Sequence, residues 1–354
     1  MSRKILANSF AAKEPILRLH CISHKTLPNE KSDAFLLEYC GEFYLIDGGL
    51  PEATYVVDYL LGIRRELLKD HPEFVDDPSC KLRLNSIVSH FHEDHVGALI
   101  GKLIPNPFLE FGAFFLPPDA SVAPEYAVPK KDGDEKLRPL FRAALDALPE
   151  KCCTIRDIPF GKEHRFTVST ASGTGREVIL TFLPPVRDLG EKWYLDYLYA
   201  DYCPEGEGAW RMPVAAVNNA SVWLLVEFAG RRLLFTGDTM KREKHLHSEG
   251  LEYMMTAYAE EIGSVDVLKF VHHGFARNHA LRAMMSFAPT LLLVSKTDSR
   301  IPELKEKRYP DAPTEVLNVA DETLVITCGY DGETGEPLPL SYEWREEPMA
   351  DALP

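Results

Sequence analysis

Six consecutive residues constrain this chain more than any others: His90-Phe91-His92-Glu93-Asp94-His95 holds four metal-capable side chains directly behind the apolar pair Ile87-Val88. So dense a group of imidazoles and carboxylates is costly to bury without a partner. The segment is therefore expected where a buried strand empties into a loop and then a helix. Alternate side chains of a strand point the same way, so His90 and His92 converge on one point. Asp94 and His95, curling round the helix start, face a second point close by. Two imidazoles for one ion, and a carboxylate with an imidazole for its neighbour, form a dinuclear ligand set. The competing reading is a solvated loop that happens to be rich in His and Asp. With 12 histidines in 354 residues, the metal reading is the stronger.

Around this segment the periodicity alternates between strand and helix. Strand-like runs at Ile16–Ile22, Ala34–Tyr39 and Phe43–Asp47 precede a helix from Glu52 to Lys69, with apolar residues at Val56, Tyr59, Leu60, Ile63 and Leu67. The metal segment is expected to lead into a helix at about Val96–Leu103. Further on come a hairpin, Val222–Phe228 and Arg232–Phe235 about a Gly230-Arg231 turn, a helix at Glu249–Ile262 and a strand at Val265–Val271. Such alternation argues α/β layers. Residues 104–165, rich in proline, and the aromatic-dense 190–213 read as peripheral insertions on one domain spanning 1–354.

The sequence excludes several classes. No apolar run approaches the ~18–20 residues of a membrane span, and the basic tip Ser2-Arg3-Lys4 has no sustained apolar region behind it, so a secretory signal is not expected. The 7 cysteines are scattered, which fits a reduced, cytoplasmic protein. A net charge of −15 without a basic stripe disfavours long nucleic acid as partner, while a small-molecule or nucleotide-like substrate is compatible with it. Homo-oligomers are open.

The His90–His95 pattern, H-x-H-x-D-H, resembles the signature of the metallo-β-lactamase superfamily. Further pieces follow in the expected order: Phe43–Asp47 with Gly48-Gly49, Arg232–Phe235 with Thr236-Gly237-Asp238, and Val267–Val271 with His272-His273-Gly274. Asn218-Asn219-Ala220-Ser221 and the His-His-Gly resemble, within the superfamily, the hydrolase domain of DNA-uptake competence channel proteins. The resemblance implies a four-layer αββα sandwich with the site at its rim. It implies two divalent ions, Zn with Mn or Fe as alternatives: His90 and His92 on one, Asp94, His95 and His272 on the other, Asp238 bridging. It also implies a hydroxide between the ions, aimed by Asp94. His272 is expected as the ligand because it is the first residue past its strand, which leaves His273 as general acid. Asp47 is either a partner that fixes an imidazole tautomer or a stabiliser of the Gly48-Gly49 turn.

The chain departs from the wider pattern where a histidine about twenty residues before the bridging aspartate is usual. Asn218 and Asn219 stand there, a weaker ligand type. His164 reads as an exposed strand approach, and His245 and His247 as a solvated helix face. Phe275 replaces the serine that tends to follow His-His-Gly in the competence subgroup, and Tyr309 stands before Pro310 where a histidine is frequent. The expected function is metal-dependent hydrolysis of a phosphodiester. Thioester or lactone hydrolysis, or a non-catalytic metal-binding module, are the alternatives.

Overall fold

The computed structural model describes residues 5–11, 15–23, 31–52, 54–118, 137–148, 153–170, 176–186, 214–239, 250–275 and 278–345. The 190–213 insertion and His245 and His247 lie outside them.

The strands, in chain order, are β1 (Ile5–Leu6), β2 (Leu17–Cys21), β3 (Phe35–Tyr39), β4 (Glu42–Ile46), β5 (Cys80–Ile87), β6 (Leu109–Leu116), β7 (Thr154–Asp157), β8 (Phe166–Ser169), β9 (Ile179–Leu183), β10 (Trp223–Phe228), β11 (Arg231–Phe235), β12 (Val267–Lys269), β13 (Leu291–Val294), β14 (Glu315–Asn318), β15 (Thr323–Cys328) and β16 (Ser341–Arg345). One sheet runs β16-β15-β2-β3-β4-β5-β6-β7, with β1 also on β5; the other runs β14-β13-β12-β11-β10-β9-β8. Each is antiparallel on one side and parallel on the other. The change falls at β4, antiparallel to β3 and parallel to β5, and at β11, antiparallel to β10 and parallel to β12.

The sheets pack face to face through a core drawn from both, in which Phe35 meets Phe235 edge-on at 5.4 Å and Phe115 stacks on Phe182 at 4.7 Å. Helices cover the outer faces. Tyr55–Leu67 and Leu137–Asp146 bury Val56, Leu60 and Phe141 against the first sheet. Gly250–Ile262 buries Leu251, Met254 and Tyr258 against the second, where Ala280, Leu281 and Ile301 also pack. These four layers are the αββα sandwich. No helix among the described residues is long and apolar enough to cross a membrane.

Two elements depart from the expected boundaries in ways that matter. Residues 104–165, read as peripheral, supply β6, whose Phe111, Phe114 and Leu116 are buried between β5 and β7. The surrounding prolines bound that strand rather than marking an arm. The β10–β11 turn is Ala229-Gly230, one residue earlier than expected, with Phe228 opposite Arg231. Both turn residues have positive φ, 48° and 80°, the geometry a two-residue hairpin needs to match strand twist.

A candidate metal centre at the carboxyl ends of the parallel strands

Parallel strands present their carboxyl ends to one rim, where loop residues from several strands can meet. Here β4 delivers Asp47, β5 the His90–His95 segment, β11 Asp238, β12 His272 and His273, and β13 Ser295. After β5 the chain bends at Ser89 and reaches His92, which precedes the helix Glu93–Ala98 in an extended conformation, φ −109° and ψ 157°. That helix starts three residues earlier than expected, so Asp94 and His95 both lie in its first turn. Phe91 points the other way, into the helix Leu137–Asp146, with its ring 5.7 Å from that of Phe141.

The Asp47-Gly48-Gly49 loop is a close backbone approach. Gly48 N donates to His95 O at 2.6 Å and Ala98 N to Gly49 O at 3.0 Å. A Cβ on Gly48 would stand 2.5 Å from Leu99 Cγ, and one on Gly97 2.4 Å from Pro51 Cδ. Glycines at these positions let the loop and the ligand helix touch.

The hydrogen bonds behind the cluster set which imidazole nitrogen carries a lone pair. Ser89 Oγ donates to Asp47 Oδ2 at 2.7 Å and therefore accepts from His90 Nδ1 at 3.0 Å. Asp47 Oδ2 also accepts from His95 Nδ1 at 2.8 Å. Asp33 Oδ1 accepts from His273 Nδ1 at 3.1 Å, with Ser295 Oγ beside both. With each Nδ1 used as a donor, the Nε2 lone pairs of His90, His95 and His273 face inward. They meet Asp238 Oδ2 at 3.9, 3.4 and 3.0 Å. His92 Nδ1 lies 3.1 Å from His90 Nε2, and Asp94 Oδ2 lies 3.1 Å from His273 Nε2. Neutral imidazole lone pairs and carboxylates aimed at one another repel unless a proton or a metal cation lies among them, and Asp238 Oδ2 is fully buried with three imidazole nitrogens against it. The donor set fits a divalent metal.

Ionisation reflects the same crowding. Burial opposes charging His273, yet the Asp238 and Asp33 carboxylates outweigh it and raise its pKa to about 9. His95 is likewise raised despite burial, by Asp238, Asp47 and Asp94. His90, against positive neighbours, is driven well below its ordinary value, chiefly by burial. Burial also opposes ionisation of Asp94 and Asp238, but the surrounding imidazoles and Lys31 or Lys269 hold both well below the carboxylate range.

Two residues not foreseen from the sequence complete the centre. Asp33, two residues before β3, and Lys269, on β12, are both buried and form an ion pair. Lys269 Nζ also lies 3.3 Å from Asp238 Oδ1 and 2.9 Å from Gly237 O. Asp33, His95, Asp238 and His273 present donor atoms within 4.8 Å of one another. Asp33, however, spends its oxygens on Lys269, Ser295 and the Nδ1 of His273, so it orients that ring from behind. A lysine in an otherwise apolar run, Val267-Leu268-Lys269-Phe270, was the signal available in the sequence.

The structure brings together His90, His92, Asp94, His95, Asp238 and Asp47. Of the histidine pair it turns His273, not His272, into the cluster. The His272 Nε2 lies 3.7 Å from Asp238 Oδ2 at the rim, 3.5 Å from Lys31 Nζ, and keeps 19% of its side chain exposed. The Nδ1 of His273, the residue expected as general acid, faces Asp33 and Ser295, and its Nε2 faces Asp94 and Asp238. Asn218 and Asn219 are buried on the helix Val214–Asn219, with Asn219 against Gly250. His164 is exposed beside Glu163.

Among solved structures, the chain is similar to YhfI from Bacillus subtilis, a metallo-β-lactamase fold protein, at 11% identity over 87% of this chain and 98% of that one, with a TM-score of 0.43. It is also similar to the short form of human tRNase Z, at 11% identity over 86% and 92%, TM-score 0.36. A third is Tm1679, a metal-dependent hydrolase of the β-lactamase superfamily, at 12% identity over 86% and 96%, TM-score 0.38. No family model and no curated protein matches the chain.

Proposed function

We propose that this chain is a metal-dependent hydrolase that cleaves a phosphodiester in a small, nucleotide-like substrate. The observation that carries it is the convergence of the His90, His95 and His273 Nε2 atoms on Asp238 Oδ2. In this reading His90 and His92 hold one divalent ion, with Asn218 the candidate to complete its shell. Asp94, His95 and His273 hold the other, and Asp238 faces both. Bound there, the ions would lower the pKa of water toward neutrality and offset negative charge developing on the phosphoryl group.

The chain's own groups do the positioning. Asp94 stands at the rim, where it accepts from Lys31 and can accept from an attacking water. Asp47 and Asp33 fix the tautomers of His95 and His273, so that neither ring has to turn when substrate arrives. Lys269 holds Asp238 through Oδ1 and leaves Oδ2 toward the histidines. At the mouth, Lys31 and His272 are placed to hold the oxygens of the leaving side.

The test is metal content by elemental analysis, beside hydrolysis of bis(4-nitrophenyl) phosphate, for the chain and its Asp238→Ala variant. Two ions per chain and phosphodiester turnover, both reduced by the substitution, are expected. Turnover of thioester or lactone panels instead would move the substrate to a carbonyl ester. A protein that takes up no Zn, Mn or Fe would end the hydrolase reading.

A further inference from the structure

Two side chains beside Lys31 on the same rim, Phe275 and Lys296, have no part in the hydrolysis described above. Phe275 follows the His272-His273-Gly274 turn and keeps 38% of its surface exposed. Two ammonium groups flank its ring, Lys296 Nζ at 5.0 Å and Lys31 Nζ at 5.4 Å from the centroid. The His272 ring lies 4.7 Å away on the same residue. The lysines come from distant segments that pair as an antiparallel bridge, Lys31 with Lys296, so the fold itself places them together. Each has a carboxylate nearby: Asp94 Oδ2 is 3.0 Å from Lys31 Nζ, and the exposed Asp298 pairs with Lys296.

Lys31 connects this group to the reacting centre, because its ammonium touches Asp94 and lies 3.5 Å from His272 Nε2. An anion held between the two lysines would therefore stand next to Asp94. A flat ring attached to that anion would reach the exposed part of the Phe275 ring. Aromatic faces accept stacked rings of any base type, and ammonium groups beside the ring favour a substrate whose charge is negative. In a chain of net charge −15, two adjacent lysines at the mouth supply a local attraction for an anion.

We propose that Phe275, Lys31 and Lys296 form the recognition subsite of the metal centre and take a phosphoester bearing a flat aromatic group of the nucleobase class. The lysines hold phosphate oxygens and Phe275 stacks the ring. A neutral lactone or thioester gains nothing from the lysine pair, so the subsite selects against the carbonyl substrates. The proposal rests on the hydrolase reading for its role in turnover, but its binding test does not.

The experiment is calorimetric binding of AMP, adenosine and inorganic phosphate to metal-reconstituted protein, its Phe275→Ala and Phe275→Leu variants, and Lys296→Gln. Phe275→Ala is expected to weaken AMP roughly five- to a hundredfold, the range for removing a base-stacking ring, while phosphate binding holds. Phe275→Leu, which keeps the apolar volume, should lose AMP affinity as well. Lys296→Gln should weaken AMP and phosphate severalfold and leave adenosine as it was. Absence of AMP binding by the unsubstituted protein, equal AMP affinity in Phe275→Ala, or equal loss of phosphate in that variant would each overturn the subsite. Turnover of bis(4-nitrophenyl) phosphate by the same samples separates the two ideas. AMP binding that depends on Phe275 and Lys296 without any turnover would keep the subsite and end the hydrolase reading. Turnover with AMP affinity indifferent to both residues would do the reverse.

Discussion

Asp33→Asn isolates the least foreseen part of the centre. The substitution keeps size and one oxygen but removes the charge that faces His273 Nδ1 at 3.1 Å and pairs with Lys269. Two effects then act in the same direction. His273 loses the acceptor that fixes its ring and raises its basicity as a ligand, a loss that typically costs 10–100-fold in metal affinity, about 1.4–2.7 kcal/mol. Lys269 loses its nearest anion and is left with Asp238 Oδ1 at 3.3 Å. At an effective dielectric of about 20, that attraction is about 5 kcal/mol, so the ammonium competes harder for the carboxylate that the metal needs. Metal affinity should therefore fall by at least roughly tenfold with stoichiometry unchanged. Competition against a chromophoric chelator measures it, with circular dichroism to confirm folding. Unchanged or tighter binding would refute the coupling through His273. Outright loss of one ion would mean that Asp33 ligates metal directly.

The other expectations are shorter to state. His273→Ala should lose bound metal, whereas His272→Ala should keep it and lose turnover; elemental analysis of the pair decides the order. Gly97→Ala places a methyl 2.4 Å from Pro51 Cδ and should cost about 1–3 kcal/mol by overpacking, weakening metal binding without removing a ligand, as chemical denaturation and chelator competition would record. Acid should also unfold the chain through His20, whose pKa burial lowers against the opposing pull of Glu38. A lowered histidine contributes stability that is present above its unfolded value near 6.5 and is lost as pH falls below it, by up to about 1.4 kcal/mol per pH unit for one proton. His20→Gln should flatten that part of the denaturation profile between pH 6.5 and 5; an identical slope in the variant would remove His20 as the cause.

Much of the layer order and the first ligand segment was legible because each is written locally. Alternating burial in β5 and the 3.6-residue spacing in Tyr55–Leu67 come from contacts within one element. Residues 104–165 misled because proline density was allowed to outweigh the run Leu109–Leu116, a fully sheet-bound strand. Asp33 and Lys269 were not legible as a pair: 236 positions separate them along the chain, and only the packing of one sheet on the other brings them together. A buried lysine is a sequence oddity whose meaning depends on a partner that no periodicity indicates.

The orientation of the histidine pair was not legible for a different physical reason. Position past a strand predicts direction only while the backbone stays extended or right-handed. Here His272, His273 and Gly274 all have positive φ, at 48°, 56° and 88°, which reverses the chain and swaps the residues that face inward. Two non-glycine residues in that region cost roughly 1–2 kcal/mol each, a strain that persists where surrounding contacts over-determine it. Those contacts are present. His272 N donates to Gly237 O, Ser295 N donates to His273 O, and Ser299 Oγ donates to Gly274 O at 2.7 Å. A Cβ on Gly274 would stand 2.8 Å from Val294 Cγ1, so the turn is pressed against β13. Asp47, at φ 57°, and Gly237, at φ 53°, carry the same left-handed geometry at the ends of β4 and β11. Left-handed residues thus sit at the carboxyl ends of three strands that supply the centre. The fold accepts this local strain there, and the result is that His273, Asp47 and Asp238 reach one small volume from strands of two different sheets.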